Sequence, residues 1–225
     1  MDVRLLYHTQ DPERAVATAA RLCYAPVGAA ELMETLDEER ARKVLSVIMK
    51  GGHFSCLEHA SYTFAIEGVS RSLTHQLVRH RLASFNQQSQ RYVAFKAEPE
   101  FIIPETVSSD PDRLAVFNEA TAHAFEAYKK LMEAGVPAED ARYLLPNATE
   151  TKIVVTMNAR ELLHFFEVRC CRRAQWEIKE LADRMLELVK PTAPYIFLDA
   201  GPACRRGPCK EGKMTCGQPY ERVYR

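Results

Sequence analysis

Between Glu67 and Glu98 the chain carries no carboxylate, while Arg71, Arg79, Arg81, Arg91 and Lys96 place five positive charges there. With 30 acids among 225 residues, a stretch of 30 should hold about four. A basic run is ordinarily a solvated face. Here the arginines stand among Gln76, His80, Ser84, Asn86, Gln87, Gln88, Ser89 and Gln90, a dense set of hydrogen-bonding side chains. The cations are chiefly arginine, whose planar fork grips phosphate or a flat heterocycle through paired bonds. The pattern points to an anionic ligand held by guanidiniums.

Other groupings could do chemistry, and each has a plainer reading. Cys170 and Cys171 follow Arg169 and precede Arg172 and Arg173. A thiol among guanidiniums would have a depressed pKa and could act as a nucleophile, yet small buried thiols on helices are common. His53, Cys56 and His59 would step around a helix by about 60° each. They lack an evident fourth ligand, so no metal is expected there. Cys204, Cys209 and Cys216 begin with a zinc-compatible spacing, but no histidine lies beyond His164. They predict exposed thiols on a flexible tail. Ser89 has no His-Asp partners that the sequence can place, so a hydrogen-bonding role is expected.

These residues need a scaffold. The 25.6 kDa chain fits one large domain. Lys and Arg total 30, as do Asp and Glu, which weakens any case for a protein whose whole surface grips nucleic acid or an acidic membrane. At 47% hydrophobic and 27% charged residues the chain can bury a core. No apolar run reaches the roughly 18 residues of a membrane span, and no signal peptide is expected at the start. Seven cysteines, an odd number, predict free thiols in a reducing cytoplasm.

Strands are expected over 2–8, around Tyr62, Phe64 and Ile66 up to Gly68, and over 151–157. Helices are expected after Asp11-Pro12, over 37–50 with Gly51-Gly52 as the stop, over 112–134, from Pro137 to about Leu145, and over 174–190. Another helix should start after Asn158, with Glu161 completing an N-x-x-E capping box. A helix from about Arg71 to Ala83 would set Gln76, Arg79 and His80 on one side, followed by a Ser-Asn-Gln-Gln-Ser loop. The class is therefore mixed α/β, with long helices flanking a mixed sheet. Residues 1–198 form the expected single domain. Residues 199–225 form a tail rich in Cys, Gly and Pro.

Residues 79–91 match R-H-R-x-x-S-x-N-x-x-S-x-R, with seven fixed positions in thirteen. This signature resembles that of the flavin-dependent thymidylate synthases. The resemblance extends over about residues 1–198, through His53 to Glu58-His59, Arg142-Tyr143-Leu144-Leu145-Pro146, Asn158-Ala159-Arg160 to Arg169, and Ala174-Gln175-Trp176-Glu177. It implies that family's fold and conversion of dUMP to dTMP, with methylenetetrahydrofolate as carbon donor, FAD as redox cofactor and NADPH as reductant. It also implies a homotetramer whose active sites are shared between subunits.

By the same resemblance, Ser55, Arg79, His80, Arg81, Gln87, Asn158, Arg160 and His164 would hold FAD. Gln76, Arg79, Gln87, Gln88, Ser89, Gln90, Arg91, Arg142 and Arg169 would hold dUMP. Some relatives carry a carboxylate where this chain has Gln87. Arg169 would stabilise the deprotonated uracil ring and so activate its carbon 5, acting by charge because arginine keeps its proton. The family uses no cysteine adduct, which sets Cys170 and Cys171 aside. The competing function is an RNA- or single-strand-binding module built on 79–91, with Phe85 and Tyr92 for stacking.

Overall fold

Four strands form, three of them over the expected β-branched and aromatic runs: β1 (Asp2–His8), β2 (Ser61–Ser70), β3 (Ala83–Gln87), which was not expected, and β4 (Glu150–Asn158). They form one sheet in the order β1-β2-β4-β3. The computed structural model describes residues 1–223. Thr9 N donates to Ser61 O at 2.9 Å, so the end of β1 meets the start of β2. The Thr63 and Thr156 hydroxyls lie 2.8 Å apart, while Glu67 faces Lys152. Gln88 N, just past β3, donates to Lys152 O at 2.9 Å. Each pairing is thus antiparallel, which narrows the mixed sheet expected within the α/β class.

The helices are α1 (Pro12–Leu22), α2 (Ala29–Thr35), α3 (Glu38–Gly51), α4 (Arg71–Leu77), α5 (Glu105–Ser108), α6 (Pro111–Glu133), α7 (Ala138–Ala141), α8 (Ala159–Arg169) and α9 (Trp176–Val189). Local signals account for several ends. The Asp37 carboxylate accepts from Arg40 N, and Gly52 at φ +73° stops α3 in a conformation that suits glycine. Asn158 accepts from Glu161 N and opens α8 as expected. Asp11, by contrast, makes no side-chain cap bond, and its carboxylate pairs with Arg14 at 2.8 Å. The helix expected to reach Ala83 ends at Leu77, and the polar segment 83–87 is strand β3. A ladder partner supplied by β4 outweighs the weak local preference of Ala-Ser-Phe-Asn-Gln.

The chain divides into two compact units. One comprises Met1–Asp2, Ile66–Leu77 and Asn86–Ile153. Its core includes Leu73, Leu77 and Tyr128, and the Tyr128 hydroxyl accepts from Phe95 N at 3.2 Å. The other comprises Val3–Ala65, Val78–Phe85 and everything from Val154 onward. In this second unit Tyr62, Phe166 and Phe197 interlock edge to face, and α8 packs on α9 and on the short 3-10 turn Phe54–His59.

Candidate functional site

In the second unit a cavity of about 710 Å³ opens between α8, the turn after Phe54 and the segment 79–82. Arg79, His80 and Arg81 line it from one strip of chain, and Arg160, Glu161 and His164 line it from the first turns of α8. Met49, Phe54, Leu82 and Leu163 add an apolar wall. Five of the eight residues assigned to FAD by resemblance therefore share one cavity. Of the others, Ser55 is exposed on the turn beside Phe54, and Asn158 spends its side-chain oxygen on capping α8. Gln87 lies in the first unit. Arg160 is paired with Glu58 at 2.5 Å.

His80 is 5% exposed and organises the floor of this cavity. Its ring packs edge-on to Phe165, with centroids 4.9 Å apart. Arg169 Nε donates to His80 Nε2 at 3.1 Å. A nitrogen that accepts from a guanidinium carries no proton, so the imidazole is neutral and its hydrogen sits on Nδ1. Burial, then Arg169 and His164, push the His80 pKa down to about 4. Burial also lowers Arg169 and raises the Glu161 carboxyl.

The neutral histidine has a consequence for pH. An unfolded chain protonates His80 below about 6.5, while the folded chain resists until about 4. The contribution of His80 to stability is therefore full above pH 6.5 and is lost as pH falls toward 4, by about 3 kcal/mol in total. Urea denaturation of wild type and His80→Gln across pH 4–7 should show the two stabilities converging in acid. A constant gap would contradict it.

Sequence reasoning missed the contribution of the tail. Arg206 and Lys210 line the same cavity and both engage Glu167, at 2.5 and 2.8 Å. Arg206 also donates to the carbonyls of Asp199 and Gly201. Further on, Arg173 meets Glu211 at 3.0 Å, and Tyr220 donates its hydroxyl to Cys170 O beneath the Arg172 guanidinium. The segment expected as a flexible tail is strapped to the end of α8. Only its Gly, Pro and Cys content was visible beforehand, and none of these residues makes the straps.

Cys170 follows its plain reading as a buried thiol, whereas Cys204 and Cys209 are half-buried and not the exposed tail thiols expected. Burial pushes the Cys170 thiol far up, the reverse of the depressed pKa its arginine neighbours suggested, so it carries no thiolate. Burial also raises Cys56, whose Sγ–H donates to His53 O at 3.2 Å. Among the described residues no cluster of three or more His, Cys, Asp or Glu could hold a metal. Cys171, Cys204 and Cys209 line a second cavity of about 330 Å³ with Arg169 and Arg173. A Cys170→Ala/Cys171→Ala double variant should retain dTMP formation within about threefold, because the proposed activation of carbon 5 rests on Arg169 and uses no cysteine adduct. Loss of turnover with FAD and nucleotide still bound would refute that.

The first unit holds most of the residues assigned to dUMP; Arg79 and Arg169 belong to the second unit described above. Gln76 is half-buried on α4. Gln87 ends β3, and its Nε2 donates to Thr74 and Thr151 hydroxyls, each at 3.2 Å. A carboxylate could not donate those bonds, so the amide matches this site, and a ligand contact would fall to Oε1. Gln88 is exposed, with its backbone N–H tied to β4. Ser89 Oγ accepts from Arg91 N at 3.1 Å. Arg91 pairs with the Glu139 carboxylate, whose backbone oxygen accepts from Arg142 Nε.

Arg71 joins this group although it was not assigned a contact. It donates to Gln90 Oε1 at 3.0 Å, and burial and the nearby charge of Arg142 lower its pKa. Two guanidiniums that repel each other are relieved by an anion. The acid-free stretch was the signal that could have included Arg71.

Among the described residues no helix is long and apolar enough to cross a membrane. Residues 4–195 match the model of the family described as thymidylate synthase complementing protein. The chain is 59% identical over 223 residues to the flavin-dependent thymidylate synthase of Geobacter sulfurreducens, covering 98% of this chain and 96% of that one. It is 50% identical over 235 residues to the enzyme of the same name from Clostridium tetani, covering 97% and 94%. A crystal structure of the UMP/dUMP methylase PolB from Streptomyces cacaoi, bound with 5-Br dUMP, superposes with a TM-score of 0.77 at 28% identity, over 88% of this chain and 93% of that chain. The arginine-histidine signature, the fold and these similarities agree: the chain belongs to the flavin-dependent thymidylate synthase family.

Proposed function

We propose that the protein methylates dUMP to dTMP, with methylenetetrahydrofolate as carbon donor, FAD as redox cofactor and NADPH as reductant. The observation that carries this reading is the cavity lined by Arg79, His80, Arg81 and Arg160, with Arg169, which donates to His80, lining the cavity beside it. About 710 Å³ lies within the range of cofactor sites. Its guanidiniums suit a diphosphate, and Phe54, Leu82 and Leu163 suit a flat ring system, so the residues present fit a flavin dinucleotide. Bound there, a flavin supplies the hydride chemistry that completes the methyl group.

The remaining work falls to side chains. Arg71, Arg91 and Arg142 bind the nucleotide phosphate, with Gln88, Ser89 and Gln90 orienting its base and sugar. Arg91 exchanges Glu139 for the ligand. Arg169 stabilises negative charge on the uracil ring, which raises the nucleophilicity of carbon 5. Its anchor through Nε fixes the plane of the guanidinium before the substrate arrives, so little reorganisation remains. The enzyme acts as a cytoplasmic homotetramer, in which one subunit's arginines complete another's site, and it binds no nucleic acid.

Purified protein should take up FAD, oxidise NADPH in a dUMP-sensitive way and form dTMP when methylenetetrahydrofolate is added. A colourless protein that ignores FAD and retards RNA would overturn this reading.

A further inference from the structure

We infer that Glu161 is a positioning residue for Arg169, acting through His80 in a line that runs Glu161 Oε1, His80 Nδ1, His80 Nε2, Arg169 Nε. The inference rests on the reading of Arg169 as the group facing the uracil.

Glu161 looked like the third position of a capping box, whose carboxylate would reach back to the start of α8. Only half of that box forms. Asn158 accepts from Glu161 N at 2.9 Å, and the Glu161 carboxylate lies instead 3.4 Å from His80 Nδ1. Both side chains are about 5% exposed. A carboxylate buried to that degree persists only with a partner.

The chemistry of the three groups leaves one arrangement. Arginine Nε–H can only donate, so His80 Nε2 must be bare, and the ring hydrogen on Nδ1 faces the Glu161 carboxylate 3.4 Å away. The other tautomer would set a lone pair against the carboxylate and an N–H against the guanidinium. Phe165, edge-on at 4.9 Å, further holds the ring plane. Glu161 thereby selects the tautomer that gives Arg169 its acceptor. Without the carboxylate, hydrogen on Nε2 becomes competitive and pushes the guanidinium away. Burial of His80 favours the neutral imidazole this scheme needs.

Glu161→Leu and Glu161→Gln separate this role from packing. The amide carbonyl of Gln still accepts from Nδ1–H, whereas Leu cannot. In Glu161→Leu holoenzyme, kcat for dTMP formation should fall about tenfold or more through lost positioning. NADPH oxidation should fall less than dTMP formation, because Arg79, Arg81 and Arg160 keep their charges in the cavity. Glu161→Gln should recover most of the loss. Nitrogen-15 NMR of the histidine ring should find hydrogen on Nδ1 in wild type and Glu161→Gln, and on Nε2 in Glu161→Leu.

Wild-type His80 protonated on Nε2 would overturn the inference, and that measurement needs no variant to fold. So would full dTMP formation in Glu161→Leu, or equal loss of dTMP formation and NADPH oxidation. Wild type that forms no dTMP would defeat the functional reading alone, and the tautomer would still decide the line from Glu161 to Arg169.

Discussion

Arg169→Ala should lower dTMP formation by about 10²–10³-fold while leaving NADPH able to reduce the bound flavin. The asymmetry follows from geometry. Arg169 is anchored at Nε by His80 and belongs to the cavity beside the one lined by Arg79, Arg81 and Arg160. Removing it takes a fixed positive charge from the ring that must become a nucleophile. It takes nothing from the cations that hold a diphosphate. Arg169→Lys should recover little, because an ammonium on a flexible stem has neither the Nε anchor nor the planar fork. Separate assays of dTMP formation and NADPH oxidation in the two variants test this. Equal loss of both activities would mean that Arg169 serves the fold or the flavin.

The parts of this arrangement that could be seen in the sequence are those fixed by near neighbours. The start of α8 was visible because Asn158 and Glu161 N are three residues apart and cap within one turn. The stop of α3 was visible because Gly52 takes a positive φ that other residues resist. Arg79, His80 and Arg81 were visible because one motif carries all three.

What escaped notice depends on distant partners. β3 is polar and five residues long, and it becomes a strand because β4 offers it a ladder. Helix α4 stops at Leu77, since the chain beyond it leads His80 into a buried contact that an uninterrupted helix would have to forgo. Glu161 carried two readings at once, and the cap was the local one. Its second partner, His80, is 81 positions away in sequence and was identified only by packing. Arg206 and Lys210 were overlooked because they sit among glycines and prolines, while their partner Glu167 lies on α8.

Phe165→Ala should destabilise the protein by about 3–5 kcal/mol, the range for emptying an aromatic side chain from a packed interior. Phe165 is fully buried on α8, packed against Phe166, which in turn meets Phe197. The loss is therefore a cavity inside an aromatic cluster, where backbone relaxation can recover little. Its second effect concerns chemistry. The edge of Phe165 against the His80 ring is one of the contacts that keep Nε2 directed at Arg169. Phe165→Leu keeps most of the volume and should cost less stability, yet it removes the flat edge that holds the imidazole plane. Urea denaturation should rank wild type, Phe165→Leu and Phe165→Ala in descending stability. At a temperature where the leucine variant is fully folded, its dTMP formation should still fall more than its NADPH oxidation. A leucine variant with both activities intact would mean that Glu161 and Arg169 hold His80 without help from the ring beneath it.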